Sequence, residues 1–491
     1  MFKLVEAEMD SQASGPRPSG SRPAGPRSDS AAPGRWLMLA LLGVAQLMLI
    51  LDVTVVAIAL PHMGEDLGLT RTSLTWVVSA YTLAFGGFLL LGGRSADLFG
   101  SRAVVIAGLS LFTVASLVTG LAGNAGVLLG GRVAQGLGAA LLSPAALSLV
   151  VKLFDGEERN KALGIWSALG GAGAALGVLL GGVLTAGPGW PWAFYINVPI
   201  GVLVLVVLAR GPADEPSAQP AGRIDALGAA LVTGGTGSLV YGLINAGTYG
   251  WTTASTLLPI GVAVLLCGLF ALRQRTARNP LIDPALLARR SVASGTFLIF
   301  VGTALMISVF FLGTFYLQHL HGYGALATGL LFLPVAVGTM IGAQVAGRVI
   351  GQLGARPVSV VALAVTALGT AVPALLDGTA AMVAGMSVAA VGLGAVYVGA
   401  STTTLADAAH HEAGIASGIL STFHEFGAAL GVALTSSLAA ASISGTSGQG
   451  ITRGLTFATA TALGAALVAQ VALARRPRQT SDRATPTHRE T

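Results

Sequence analysis

Gly93-Arg94-Ser95-Ala96-Asp97-Leu98-Phe99-Gly100-Ser101-Arg102 returns in reduced form, 254 positions later, as Gly347-Arg348-Val349-Ile350-Gly351-Gln352-Leu353-Gly354-Ala355-Arg356. A second pair of stretches shares that offset. Gly164-Ile165-x-Ser167 with Gly173-Ala174-Ala175-Leu176-Gly177-Val178-x-Leu180 matches Gly418-Ile419-x-Ser421 with Gly427-Ala428-Ala429-Leu430-Gly431-Val432-x-Leu434 (347 − 93 = 254; 418 − 164 = 254). Two separate matches in one register mark a duplicated structural unit. In a chain this apolar, duplication implies two like halves able to rock about a site between them.

Composition sets the medium. Only 10% of the 491 residues are charged, against roughly 25% in soluble domains, while 53% are hydrophobic and the mean hydropathy is +0.77. A soluble globule of this length could not cover its surface with so few charges, so a lipid bilayer is the expected partner. The net charge of +6 is spread between apolar runs. Nucleic acid would need basic residues clustered on one exposed face, and is therefore not expected. Cys267 is the single cysteine, which excludes a disulfide framework and a Cys-based metal site. No nucleophile constellation, metal cluster or nucleotide loop stands out, so the expectation is a non-enzyme without metal or cofactor. Arginine greatly outnumbers Lys3, Lys152 and Lys161, and Ala and Gly are in excess, as in a GC-rich bacterial genome.

Residues 1–34 are rich in Ser, Pro, Gly and Arg without apolar periodicity, the make-up of a disordered tail. The first apolar run is too long for a signal-peptide core, and thirteen more follow. At about 20 apolar residues per crossing, helices are expected over 36–60, 73–92, 103–122, 125–151, 161–186, 192–209, 225–246, 252–272, 292–318, 325–347, 357–376, 380–406, 413–441 and 453–474. Pro61, Pro191 and Pro357 stand where helices should stop or start, because proline lacks the backbone N–H. Fourteen crossings put both termini on one side. With that side cytoplasmic, 24 of the 27 Lys and Arg fall in cytoplasmic segments; Arg71 and Arg453 fall outside and Arg132 lies within a helix. Removing one helix would invert every later loop and destroy this bias.

The offset pairs helices 2–5 with helices 10–13 in the same orientation, leaving helices 7 and 8 as an insert. The expected organisation is a cytoplasmic tail (1–34), a six-helix half (35–209), a linker with two extra helices (210–291), a second six-helix half (292–475) and a cytoplasmic tail (476–491).

The 93–102 stretch is expected to be the cytoplasmic loop between helices 2 and 3. Gly93 and Gly100 permit a sharp turn and close helix approach, Asp97 can cap or pair, and Arg94 and Arg102 anchor the membrane surface. A charged turn obeying the charge bias is the plainer reading. Recurrence in register at Gly347, Arg348, Gly354 and Arg356 favours a conformational gate, lopsided because Gly351 replaces Asp97. The spacing resembles the helix 2–3 signature of the major facilitator superfamily, G-x-L-A-D-R-x-G-R-K. Gly93, Ala96, Asp97, Gly100 and Arg102 match, whereas Ser95, Leu98 and Ser101 depart from Leu, Arg and Arg.

Helix 4 carries Leu128-x-x-x-Arg132-x-x-Gln135-Gly136-x-Gly138-Ala139-Ala140. An arginine inside a membrane helix costs about 2.5–3.5 kcal/mol or more, so it should face a partner or a wet cavity. Asp52 on helix 1 is the expected partner: at 1.5 Å per residue both lie roughly 10–12 Å below the outer surface. Snorkelling of Arg132 to the outer headgroups is the alternative. The run is similar to the superfamily's helix 4 motif, whose arginine takes part in proton coupling. Leu51-Asp52-Val53-Thr54-Val55-Val56-Ala57-Ile58-Ala59-Leu60-Pro61 resembles the helix 1 signature of fourteen-helix drug:proton antiporters, L-D-x-T-I-V-N-V-A-L-P, with Ala57 in place of Asn. Low dielectric favours the protonated form of a carboxyl unless a cation balances it, the behaviour a proton carrier needs.

Helix 5 places Gly173, Gly177 and Gly181 on one face, after Gly164 and beside Gly182, allowing close helix contact. A packing seam is one reading. The spacing also resembles the antiporter signature of drug exporters, g-x8-G-x3-G-P-x2-G-G, with Val178 replacing the proline that would kink the helix. Trp190-Pro191-Trp192-Ala193-Phe194-Tyr195-Ile196-Asn197-Val198-Pro199-Ile200-Gly201 resembles the fourteen-helix family's W-R-W-x-F-x-I-N-V-P-x-G, with Pro191 for Arg; its tryptophans are expected as interface anchors.

Glu425 falls twelve residues into helix 13, within His424-Glu425-Phe426-Gly427, where members of the resembled family often carry Arg-Gln. Ala428 occupies the place of a second His, so this is no metalloprotease motif. An acid at mid-membrane depth is a functional candidate: a second proton site, or a counter-charge for a cationic substrate. A neutral, hydrogen-bonded carboxyl is the alternative. Asp225, Asp407, His410, His411 and Glu412 at cytoplasmic helix ends, and His62, Glu65 and Asp66 in the outer loop, read as solvated charge.

The resemblance covers residues 36–475 with five signatures in order. It implies an all-α polytopic membrane protein of the major facilitator fold, two six-helix pseudo-repeat halves plus two extra central helices. It also implies a monomer in a bacterial cytoplasmic membrane that exports hydrophobic small molecules in exchange for protons, with Asp52, Arg132 and Glu425 as coupling residues. Export of a metabolite, siderophore or lipid, and uniport without protons, are the alternatives; Val178 supports the second.

Overall fold

The computed structural model describes residues 32–154, 156–210, 225–277, 280–281, 284–406, 413–440 and 448–473, and every regular element among these described residues is helical. Apart from a short helical turn at Pro284–Ala288, in chain order they are α1 (Ala32–Leu67), α2 (Arg71–Phe99), α3 (Ser101–Gly120), α4 (Ala125–Leu153) and α5 (Gly156–Ala186). Next come α6 (Trp192–Tyr195, continued after Ile196 by Asn197–Arg210), α7 (Ala226–Tyr249) and α8 (Ala254–Thr276). The second half holds α9 (Arg290–Phe315, extended by a π turn at Tyr316–Leu320), α10 (Ala325–Leu353), α11 (Ala355–Leu375), α12 (Thr379–Leu405), α13 (Ala413–Leu438) and α14 (Gln449–Ala472). Thirteen of these helices are long and apolar enough to cross a membrane, and in α5 the described apolar stretch is Leu176–Ala186. The protein is a multi-pass membrane protein. Residues 1–31 of the expected N-terminal tail, the expected C-terminal tail, and Asp407, His410, His411 and Glu412 lie outside the described residues, while residues 32–34 begin α1 instead of belonging to a tail.

The duplication legible in the sequence governs helix ends as well. α2 and α10 are both 29 residues long, and their limits differ by the same 254 (325 − 71 and 353 − 99). α3 and α11 begin 254 apart, and so do α4 and α12. Each α2–α3 type junction is a single glycine with positive φ, Gly100 at +88° and Gly354 at +86°, a conformation that a side chain would oppose. The expected loop at 93–102 is therefore corrected. Residues 93–99 remain helical and only Gly100 separates the two helices, because α2 runs past its apolar stretch to the membrane surface, where charged side chains are solvated without breaking the helix. Pro61 is also corrected: it lies inside α1 rather than ending it. A membrane helix tolerates the lost backbone bond when neighbouring helices pack around it.

Helices approach closely wherever glycine removes the side chain. A Cβ on Gly138 of α4 would stand 2.8 Å from the Gly108 carbonyl of α3. At the matching place in the second half, a Cβ on Gly392 would stand 2.4 Å from the Ala362 carbonyl. Between the halves, α2 meets α13 and α5 meets α10. α7 covers one side of the α2–α13 seam, where Leu83, Val240, Ile244, Phe426, Ala429 and Ala433 form one cluster, and α8 packs on the outside of α7 through Ile260 and Cys267.

The face opposite Ala32 and Ala472 is held together across the halves by polar contacts. The Arg71 guanidinium donates to the Ser436 carbonyl of α13 (3.2 Å) and the Ile244 carbonyl of α7 (2.9 Å), and also bonds Thr248. The hydroxyls of Thr75 and Ser436 lie 2.5 Å apart. Gln318 Nε2 donates to the Ile58 carbonyl at 3.0 Å.

Candidate functional site

The first half closes around a buried charge pair. Arg132 on α4 and Asp52 on α1 are each 1% exposed and Gln135 is fully buried, so Arg132 does not snorkel. Arg132 Nη1 donates to Asp52 Oδ2 and to Gln135 Oε1 (3.0 Å), and Nε donates to the Val77 carbonyl (2.9 Å). Gln135 sits one helical turn from Arg132, which puts both on one face of α4. Its amide donates to the other Asp52 oxygen, Oδ1 (3.0 Å), and to Ser116 Oγ on α3 (2.9 Å). The Tyr81 ring lies 4.3 Å beneath the guanidinium and the Phe194 ring 5.9 Å away, geometry that favours a cation. Asn197 Nδ2 reaches Ser116 Oγ at 3.5 Å. Five helices thus converge on one arginine.

This closed triangle has a chemical consequence. Each carboxylate oxygen of Asp52 accepts a bond, and Arg132 keeps the Gln135 oxygen, the Val77 carbonyl and the Tyr81 ring if Asp52 becomes neutral. Protonation of Asp52 removes one strong bond without leaving the arginine bare. Losing the partner entirely would instead leave a buried, uncompensated charge.

Glu425 occupies the second half, on α13 and 9% exposed. It faces Gly86 of α2, where an added Cβ would stand 2.5 Å from Glu425 Cβ. Thr303 Oγ1 on α9 is 2.9 Å from His424 Nδ1, and His424 Nε2 is 4.0 Å from Glu425 Oε1. The fully buried Tyr81 hydroxyl has no hydrogen-bond partner among the described residues and lies within electrostatic reach of Asp52, Arg132 and Glu425. Tyr81 lies on α2, the helix that meets α13 across the seam of the halves.

The glycines of α5 divide into two sets. Gly173 packs against Leu47 and Ile50, Gly177 against Thr54 and Gly181 against Val55 and Ile58, all on α1. Gly182 instead faces α10, where a Cβ would stand 3.0 Å from the Ala325 carbonyl. Val178 is buried, and its carbonyl would meet a Cβ on Gly329 of α10 at 2.7 Å. Gly164 lies on α5 and Asp97 on α2, and the surroundings of both fall outside the described residues. Gly93 faces Pro144 of α4, and Arg102 is buried and donates to the Leu208 carbonyl of α6. Gly347 has open space around it, Arg348 is exposed and Arg356 half-buried.

Sequence reasoning missed Tyr81, Ser116, Asn197 and Gly86, which carry no charge to draw attention. Asn197 lay inside a quoted signature whose tryptophans were expected as surface anchors. Trp192 is exposed in that manner, but Trp190 is buried and donates from Nε1 to Asp66 Oδ2 at 2.8 Å. Asp66 is therefore hydrogen-bonded rather than simply solvated. Asp225 caps α7 through the Gly228 N–H and pairs with Arg273 at 3.2 Å.

The Major Facilitator Superfamily model matches residues 42–432. Puromycin resistance protein pur8 of Streptomyces alboniger is 38% identical over 412 residues, which span 82% of this chain and 81% of that protein. Cephamycin export protein CmcT of Amycolatopsis lactamdurans is 35% identical over 421 residues, 84% of this chain and 86% of that protein. Among solved structures, a bacterial homolog of the human lysosomal transporter Spinster superposes with a TM-score of 0.61 at 17% identity, covering 91% of this chain and 98% of that one.

Proposed function

Since this chain belongs to the Major Facilitator Superfamily, and so to transporters rather than enzymes, we propose that it exports hydrophobic small molecules, often antibiotics or cationic dyes, in exchange for entering protons. The observation that carries this reading is the buried Asp52–Arg132–Gln135 triangle, an ionisable acid whose arginine partner also bonds Gln135 and the Val77 carbonyl. The names of the relatives, puromycin resistance and cephamycin export, support the direction and the cargo. The arginine bias supports cytoplasmic termini in a bacterial membrane, and a single chain supplies both halves of a monomeric transporter.

In this mechanism Asp52 takes a proton from the outer side and releases its bond to Arg132. The halves then rock, closing the outer face through the contacts of Arg71, Thr75 and Gln318 and opening the inner one. Cargo loads from the inside as the proton leaves Asp52. Glu425 serves as a second proton site or as the counter-charge of a cationic cargo. Gly93, Asp97, Gly100 and Arg102, with Gly347, Arg348, Gly354 and Arg356, form paired hinges on the cytoplasmic face. The glycine face of Gly164, Gly173, Gly177, Gly181 and Gly182 lets α5 slide against α1 and α10. Membrane potential alone supplies about 2.3 kcal/mol per charge per 100 mV, enough for roughly fiftyfold accumulation.

Val178, where the resembled signature has proline, favours a second reading, uniport without proton exchange. A pump-deficient bacterial host expressing the chain separates the two across a panel of antibiotics and dyes. Proton-coupled export raises tolerance to a subset of compounds, and an uncoupler abolishes the gain. Tolerance that never changes contradicts export of such cargo, and tolerance that survives the uncoupler favours the second reading.

A further inference from the structure

Glu425 is nearly sealed, its side chain 12% exposed, whereas the neighbouring His424 side chain is 41% exposed. The imidazole is fixed within the second half: Nδ1 is 2.9 Å from Thr303 Oγ1 on α9, and the ring centroid is 5.9 Å from that of Tyr397 on α12. With its Nδ1 edge held between these helices, the ring turns Nε2 towards Glu425 Oε1 at 4.0 Å. That gap exceeds a hydrogen bond and closes through one water or a small ring rotation. Imidazole is the side chain suited to pass protons near neutral pH, because one nitrogen accepts while the other donates.

Few other titratable groups face this ring. α12 presents Tyr397 and α13 itself presents Glu425, while Tyr81 on α2 lies within electrostatic reach of Glu425. α9 carries Arg290 at its first residue, bonded to the Val471 carbonyl of α14 (2.7 Å). Tyr241 and Tyr249 on α7 and Arg453 on α14 are exposed elsewhere.

We propose that His424 is the proton port of Glu425, a part-exposed imidazole through which the buried acid exchanges protons with water between the helices. The proposal rests on the reading of Glu425 as a proton site. In the loading step, hydronium gives its proton to His424 Nε2 and leaves as water, while Nδ1–H stays donated to Thr303 Oγ1. The Nε2 proton then passes to the Glu425 carboxylate, leaving a neutral imidazole and a neutral carboxyl. Unloading reverses both transfers. Thr303 is a positioning residue that holds the tautomer with Nε2 free to accept.

The full chain in liposomes, with ethidium as cargo and a pH-sensitive dye inside, tests this. Proton release per ethidium and its pH profile are measured for the wild type, His424→Gln, Glu425→Gln, the double variant and Thr303→Val. His424→Gln is expected to lose the same share of proton release as Glu425→Gln, and the double variant to lose no more, since groups on one path are not additive. Thr303→Val is expected to displace the pH profile while keeping ethidium exchange. A wild-type release and pH profile in His424→Gln, with Glu425→Gln impaired, overturns the port and spares the Glu425 reading. Wild-type release in Glu425→Gln overturns both. Ethidium exchange without a gradient reports which variants are folded. Should His424→Gln lack it, an unchanged profile in Thr303→Val overturns the proposal.

Discussion

Asp52→Asn is expected to abolish accumulation of cargo against a gradient while leaving downhill exchange in place. The substitution keeps the shape of the side chain and one oxygen that can accept from Arg132, so the triangle with Gln135 loses charge more than geometry. What disappears is the ability to bind and release a proton. Under an imposed potential of 100 mV, accumulation should fall from about fiftyfold to about onefold. Exchange of labelled for unlabelled cargo requires rocking but no proton, and serves as the internal control for folding. Persistence of uphill transport in the variant removes Asp52 from the coupling mechanism.

Arg132→Ala is expected to act more broadly, because the arginine is structural as well as electrostatic. Its removal strands the Asp52 carboxylate, frees the Val77 carbonyl and the Gln135 oxygen, and opens a void beneath the Tyr81 ring. Breaking one partner of a buried pair costs about 3–5 kcal/mol, a loss that thermal unfolding in detergent would register directly. Combining the two changes removes both charges, so Asp52→Asn in the Arg132→Ala background should recover part of the lost stability. Arg132→Ala is also expected to shift the pH optimum of transport, since the carboxyl then titrates without its cation. A wild-type melting temperature and pH profile together would contradict the pairing as the organiser of this half.

Much of the fold was legible because the membrane imposes a simple rule, a run of apolar residues for every crossing. The 254-residue offset reappears in the matched limits of α2 and α10 and in the twin glycine turns at Gly100 and Gly354. Helix ends were less legible. Helical hydrogen bonding continues beyond the apolar core, so residues 93–99, with Arg94 and Asp97 among them, extend α2 instead of forming a loop. The contact between Arg132 and Asp52 could be anticipated from depth, since two buried charges at one level gain by meeting. Tyr81, Ser116 and Asn197 could not, because neutral polar residues carry no such penalty and their neighbours are set by helix rotation. The same holds for Gly86 beside Glu425 and for Arg71, whose position outside the charge bias gave no hint that it joins α2, α7 and α13.

The direct test of the whole account is proton movement tied to cargo movement. The purified chain is placed in liposomes with a cationic dye and a pH gradient of about two units, equivalent to about 2.7 kcal/mol. Coupled exchange predicts dye accumulation that collapses with the gradient, and a measurable proton displacement when dye is added without one. Dye that only equilibrates, with no proton displaced on its addition, would contradict the claim that cargo export is coupled to proton entry.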